Sequence, residues 1–283
     1  MISGAAVIAG VVGHPVTHSL SPALHNAWIA AAGLDAAYVP FRPGPGGFEA
    51  FVRGLRGGAI RGLNVTIPFK EAALALADEA DDLARLAGAA NLLILEEDGR
   101  ICARNTDGPG MLGAIAEQAP GFDPTSGPAV ILGAGGAARG AAAALKLAGA
   151  PAIWLVNRTL QRAEAIGGTL GQPVSALSQE QMDRHLDEAA LIINATSLGL
   201  GGGPGPPLDF SRVGPDVVVM DMVYKPLETD FLRRAKMAGL RTVDGLEMLI
   251  RQAMPSFEAF FLIRPPAFLD VRRLTLEILG DAR

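Results

Sequence analysis

Residues 129–140 read AVILGAGGAARG, and this stretch decides the fold. Four apolar residues bounded by glycine make a short buried strand, too brief for a core helix. Behind them Gly133, Gly135 and Ala138 fill the three positions of G-x-G-x-x-G/A, and a helix is predicted over residues 137–147, ended by Gly149. The first glycine permits a tight turn and the second lets the backbone approach a pyrophosphate. A small third residue lets helix and strand pack closely, with helix amides facing the anion. In a chain with 35 glycines an ordinary tight turn is the competing reading; the strand–turn–helix setting favours a dinucleotide. Gly133, Ala134, Gly135, Gly136 and Ala137 are the candidate cofactor turn.

The next strand, residues 153–156, ends in Asn157-Arg158-Thr159, with Arg162 four residues after Arg158. An NAD site ordinarily has an acidic residue here to hold the ribose hydroxyls. This chain has none, and two guanidinium groups at i and i+4 on a helix face suit a 2′-phosphate through charge-assisted forks. NADP is therefore the expected cofactor. The competing reading is a solvated arginine pair on a surface helix. Further strands at 191–193 and 217–220, with helices between, make residues 109–244 a doubly wound, Rossmann-like NADP-binding domain. Residues 199–207, mostly glycine and proline, are a loop.

Upstream, strands at 6–12, 37–41 and 60–65 alternate with helices at 22–32, 48–55 and 70–86. Residues 92–95 and 101–104 flank Asp98-Gly99, a tight-hairpin dipeptide. The expectation is an N-terminal α/β substrate domain over residues 1–108 with a mixed, mostly parallel sheet. A hinge or boundary is expected beside the Pro/Gly-rich segment 120–128. Residues 245–283 read as helical, and their domain is left open.

Composition narrows the function. The chain has 283 residues, 24 Lys+Arg against 29 Asp+Glu and 49% apolar residues, a soluble two-domain profile. A mildly acidic chain without basic runs is no nucleic-acid binder. The single cysteine, Cys102, has no partner for a disulfide or a metal-spaced site, so no metal is expected. The first 34 residues are uncharged but lack a basic n-region and are broken by Gly13-His14-Pro15. They are read as a strand rather than a signal peptide, and no run reaches the length of a membrane span. A cytoplasmic protein, monomer or homodimer, working on a small molecule is expected.

Polar residues gather after predicted strands in three clusters: His18-Ser19-Leu20-Ser21-Pro22, Asn64-Val65-Thr66-Ile67-Pro68-Phe69-Lys70 and Asn105-Thr106-Asp107. Of four lysines, Lys146 and Lys236 read as helix-surface cations and Lys225 as a loop residue, which leaves Lys70 conspicuous. A Lys/Asp pair polarises a hydroxyl and shuttles its proton, the ammonium offsetting charge that develops on oxygen as hydride leaves carbon. Taken singly, Ser19 and Ser21 also suit a helix N-cap and Asp107 a turn. His14, His18, His25 and His185 are read as hydrogen-bonded scaffold.

With these motifs in order, the chain resembles the shikimate dehydrogenases. GHPVTHSLSPALHN is similar to the family's serine-rich substrate loop, GLNVTIPFK to its lysine loop and NTDG to its aspartate segment. GAGGAARG and NRTLQRAE resemble its NADP motifs, and NATSLG, DMVYKPLET and GLEMLIRQA its later signatures. The resemblance implies NADP-linked interconversion of shikimate and 3-dehydroshikimate, with Lys70 and Asp107 as the catalytic pair. It implies that Ser19 and Ser21 bind the substrate carboxylate and that Thr66, Asn91, Asp107, Tyr224 and Gln252 hold ring hydroxyls. It also implies that Met222 and Gly245 line the nicotinamide pocket and that Asn64 braces the lysine loop. Leu92, Ala103 and Arg104 depart from the family pattern. A quinate or amino-shikimate dehydrogenase therefore stays open within the same chemistry, and a non-catalytic nucleotide sensor outside it.

Overall fold

The computed structural model describes residues 2–44, 46–58 and 60–280. The chain divides into two units, Met1–Thr106 with Gln252–Arg283, and Asp107–Arg251. The segment 120–128, expected beside a boundary, instead joins a helix to a strand inside the second unit.

In the first unit the order is β1 (Val7–Val12), α1 (Ser21–Ala31), β2 (Ala36–Phe41), α2 (Phe48–Arg53), β3 (Ile60–Val65), α3 (Lys70–Leu76), β4 (Glu79–Ala80), α4 (Asp82–Ala87), β5 (Leu92–Leu95) and β6 (Ile101–Arg104). The sheet order is β2-β1-β3-β5-β6-β4. Only β5 runs against the others, because the two-strand excursion around Asp98-Gly99 is antiparallel on both sides of it. One core cluster buries Val12, Leu63, Val65, Leu93 and Ile101 with Phe48, Ala73 and Ala84. Each such buried Val, Leu or Ile contributes about 1.5–3 kcal/mol.

The helix expected over 70–86 is broken in two, and two acids explain the break. Asp78 accepts from the Ile101 amide at 2.8 Å and pairs with Arg56 at 2.7 Å. Asp81 caps α4 by accepting from Ala84 N at 2.6 Å, and its other oxygen accepts from Asn105 N at 3.2 Å. Carboxylates that bond nearby backbone compete with helix continuation.

The second unit runs α5 (Asp107–Gln118), β7 (Ala129–Leu132), α6 (Gly136–Leu147), β8 (Ile153–Val156), α7 (Leu160–Leu170), β9 (Val174–Leu177), α8 (Gln179–Arg184), β10 (Leu191–Asn194), β11 (Val218–Asp221), α9 (Asp230–Met237) and β12 (Arg241–Val243). Its sheet, β12-β11-β10-β7-β8-β9, is parallel throughout. Read from β9 this is the 3-2-1-4-5-6 order of doubly wound nucleotide folds, with the switch of direction between β7 and β10. Strands buried on both faces read as apolar runs, AVIL in β7 and the LII that opens β10. Ala138, Ala141, Ala142, Ala143 and Ala144 bury one side of α6 after another, so this helix lies close on its neighbours.

Two helices complete the chain: α10 (Gly245–Phe261), within which the division between units falls, and α11 (Val271–Leu279), which packs on α1. The last three residues of the expected helical tail, 281–283, lie outside the described residues. Among the described residues no helix is long and apolar enough to cross a membrane, and no cluster of His, Cys, Asp or Glu would hold a metal.

Candidate active site

In the second unit the turn after β7 forms against the turn after β10. Gly133 has φ +122°, a conformation L side chains rarely adopt, and a Cβ there would stand 3.1 Å from the Ala195 carbonyl oxygen. Gly135 is the N-cap of α6 with no side-chain capping bond, and a Cβ on Gly135 or Gly136 would meet nothing within 4 Å. Residues 135–137, which carry the first amides of α6, are exposed, with no acidic residue in the first turn to occupy those amides.

Beside this turn lies a cavity of about 660 Å³, lined by Gly133, Asn157, Arg158, Thr159 and Arg162 and walled by Thr196, Leu198, Pro206 and Pro207. No Asp or Glu lines it, and neither arginine has an acidic partner among the described residues. The arginines do not share a helix face as expected: Arg158 precedes α7 by two residues and only Arg162 is helical. The bend at Thr159 brings them to one cavity, while Asn157 Nδ2 donates to Thr159 O at 2.8 Å and fixes that bend. Exposed amides over an open glycine turn, with two cations and no carboxylate, fit the pyrophosphate and 2′-phosphate of NADP.

Met222 and Gly245 are brought into contact. A Cβ on Gly245 would lie 2.5 Å from the Met222 carbonyl oxygen, so only glycine lets α10 begin here. Tyr224, half-buried in the same loop after β11, has its phenol pushed up by burial.

In the first unit β3, β5 and β6 deliver the expected polar residues. Asn91 is buried and donates through Nδ2 to Thr106 Oγ1 at 2.9 Å and to Gln252 Oε1 at 3.1 Å, and it accepts from Thr106 N at 2.7 Å. Asn91 and Gln252 thus meet within the first unit. Asn64 braces this cluster from below: Nδ2 donates to Asn91 O at 3.2 Å and to Ser256 Oγ at 2.8 Å, and Oδ1 accepts from Tyr38 OH at 2.8 Å. Thr66 follows β3 with its amide on Val12 O at 3.0 Å. Lys70, half-buried, opens α3, and its carbonyl accepts from Ala90 N at 2.9 Å, which ties the lysine loop to the strand that follows. Ser19 precedes α1 and Ser21 is its first residue, and the N-cap, Leu20, has no side-chain capping bond: Ser19 Oγ accepts from Ser21 N at 3.3 Å. Asp107, half-buried, is the first residue of α5 in the second unit rather than a turn residue.

Two readings, His25 as hydrogen-bonded scaffold and Lys146 as a helix-surface cation, need correction. Both ring nitrogens of His25 are buried with no hydrogen-bond partner; the ring instead stacks on Tyr38 at 4.1 Å. Lys146 is no free surface cation, since its Nζ donates to Leu170 O and closes the end of α7. The sequence reading also missed Thr196, Ser178 and Gln179 at the cavity, and the buried Asn194–Asp221 pair. The signals for that pair were a polar residue ending each of two apolar strands and the start of the NATSLG and DMVYKPLET signatures.

A parallel 3-2-1-4-5-6 sheet with a carboxylate-free arginine cavity, joined to a second α/β unit, defines an NADP-dependent oxidoreductase. Residues 11–93 match the family model for the shikimate dehydrogenase substrate binding domain, and residues 115–199 that for shikimate / quinate 5-dehydrogenase. The chain is 65% identical to the shikimate dehydrogenase (NADP(+)) of Caulobacter vibrioides over 99% of its own length and 98% of that protein's. Shikimate 5-dehydrogenase from Thermus thermophilus, crystallised with NADP(H) and shikimate, superposes with a TM-score of 0.82 at 38% identity, over 92% of this chain and 95% of that one. Quinate dehydrogenase from Corynebacterium glutamicum, in complex with NAD, gives 0.85 at 28% identity, over 97% and 99%. The chain belongs to the shikimate dehydrogenase family.

Proposed function

We propose that this protein reversibly reduces 3-dehydroshikimate to shikimate with NADPH, a step of aromatic amino-acid biosynthesis, and that Lys70 and Asp107 handle the proton of the reacting hydroxyl. Bound NADP supplies the hydride acceptor for the oxidative direction. The chain's own task is to orient a small polyhydroxy acid and to manage charge at one oxygen. The Lys70 ammonium offsets the negative charge that develops there, and the lysine–aspartate pair polarises the hydroxyl and passes its proton on. Ser19 and Ser21, whose hydroxyls cap no helix, take the substrate carboxylate. Thr66, Asn91, Tyr224 and Gln252 read ring hydroxyls, an arrangement that rejects analogues lacking one because a buried partner is left unmatched. Residues 1–108 carry the substrate and 109–244 the nucleotide. The protein works in the cytoplasm as a monomer or homodimer.

The observation that carries the reading is the cavity in which Arg158 and Arg162 stand with no carboxylate, in a chain 65% identical to a shikimate dehydrogenase (NADP(+)). The test is formation of the reduced nucleotide, NADPH or NADH, followed by absorbance with shikimate and then quinate, each with NADP+ and NAD+. Turnover with shikimate and NADP+ above all other combinations is expected. Preference for quinate would move the protein to the related chemistry, and silence with every pair would leave a nucleotide binder.

A further inference from the structure

Asp221 ends β11 as a buried carboxylate, in register with Asn194 at the end of β10. Its Oδ1 accepts from Asn194 Nδ2 and from the Val223 amide, both at 2.9 Å, and its Oδ2 accepts from Thr229 Oγ1 at 2.6 Å. Each partner fixes a different segment. Asn194 Oδ1 accepts from the amide and hydroxyl of Thr196 at 3.0 and 2.7 Å, and Asn194 Nδ2 also donates to Leu198 O at 3.1 Å. Thr196 and Leu198 are walls of the nucleotide cavity. Val223 lies between Met222 and Tyr224, and Thr229 caps α9 by accepting from Leu232 N at 3.3 Å.

One carboxylate thus decides how the loops after β10 and β11 and the start of α9 stand relative to one another. Packing alone would favour an apolar residue here, because burial disfavours the ionised form and pushes this carboxyl up to about 6. What the carboxylate adds is direction, since a fully satisfied buried network holds one arrangement.

We propose that Asp221 is a positioning residue for the cofactor, holding the Thr196–Leu198 wall and the Met222–Tyr224 segment in the arrangement that binds NADP. This rests on the NADP-dependent reading above. Asp221→Asn keeps an oxygen for Asn194 and Val223 but loses the acceptor for the Thr229 hydroxyl. Thr229→Val breaks the same bond from the other side without touching the cavity, and Thr229→Ser restores it.

The experiment measures hydrogen exchange in the intact, nucleotide-free protein, together with calorimetric affinity for NADP+ and melting temperature. In Asp221→Asn and Thr229→Val, peptides covering residues 194–200 and 221–226 should exchange faster while β7 keeps wild-type protection. Affinity for NADP+ should fall about tenfold, the size of one lost bond to a charged group. Thr229→Ser should match wild type in both readings. Should Asp221→Asn not fold, the two Thr229 variants carry the comparison. Wild-type exchange in both loops, wild-type affinity in a folded variant, or acceleration spread over the whole second unit with a lowered melting temperature each overturns the proposal. A wild-type protein that fails to bind NADP+ would instead overturn the functional reading, and the exchange of the two loops would still decide whether Asp221 holds them.

Discussion

Replacing His25 by phenylalanine tests how the first unit holds its polar cluster. The imidazole is fully buried among Trp28, Tyr38, Phe257 and Phe260, stacked nearly parallel on Tyr38, with no hydrogen-bond partner for either nitrogen. Burial lowers its pKa from 6.5 to about 3. The unfolded chain therefore binds a proton between these values that the folded chain refuses. Stability from this group is complete above the unfolded pKa and is lost as pH falls toward the folded one, at about 1.4 kcal/mol per pH unit. From about pH 7.5 to about pH 4.5 the loss is about 3 kcal/mol, a large share of the 5–15 kcal/mol typical of a domain. His25→Phe keeps an aromatic ring on Tyr38 and removes the titration. At neutral pH the variant gains by removing two unsatisfied nitrogens, about 1–3 kcal/mol each, and loses to a larger ring, about 1–3 kcal/mol. The diagnostic is thus the slope and not the offset. Urea unfolding across this pH range should show the variant overtaking or closing on wild type as pH falls, by about 3 kcal/mol. Parallel pH profiles would refute the reasoning. The effect bears on function because Tyr38, the stacking partner, holds Asn64, and Asn64 holds the backbone of Asn91 just before β5.

Other perturbations address the proposed chemistry. Arg158→Ala with Arg162→Ala should weaken NADP+ by about tenfold or more while sparing NAD+, as expected for charge-assisted bonds to one phosphate; equal losses in calorimetry with both nucleotides would mean the arginines do not read it. Lys70→Ala should lower kcat by about 10²–10⁴-fold with nucleotide affinity kept, and a steady-state rate equal to wild type would remove lysine from the mechanism. Ser19→Ala should raise KM for shikimate without lowering kcat; an unchanged KM would return the hydroxyl to a local turn. Gly245→Ala sets a methyl 2.5 Å from the Met222 carbonyl oxygen, and the overpacking should cost about 1–3 kcal/mol in a urea melt.

Legibility followed how much local chemistry each element carried alone. The strand at 129–132 and the hairpin strands at 92–95 and 101–104 read cleanly because apolar runs there are bounded by glycine-bearing turns. β9 and β12 were not anticipated: VSAL and RTV are short edge strands whose pairing comes from the neighbouring strand and not from their own pattern. The break within 70–86 was hidden because Ala- and Leu-rich sequence favours helix on both sides. What interrupts it are partners distant in the chain, Arg56 and Ile101. The glycine turn and the arginines were legible as motifs. Ser178 and Gln179 were not, since only the return of the chain after β9 brings them to the cavity. His25 read as ordinary scaffold because nothing in SPALHN announces an aromatic enclosure built from residues 38, 257 and 260.

The alanine-rich α6 limits how this protein can change over evolutionary time. Alanine has almost no side-chain freedom to lose on burial, so the helix docks cheaply, but with its small residues pressed on neighbours it has little spare volume to accept larger ones. A lineage shifting its nucleotide preference would find that helix nearly closed to experiment. The exposed positions 158 and 162 are free of such steric cost, so drift toward a different coenzyme should begin there.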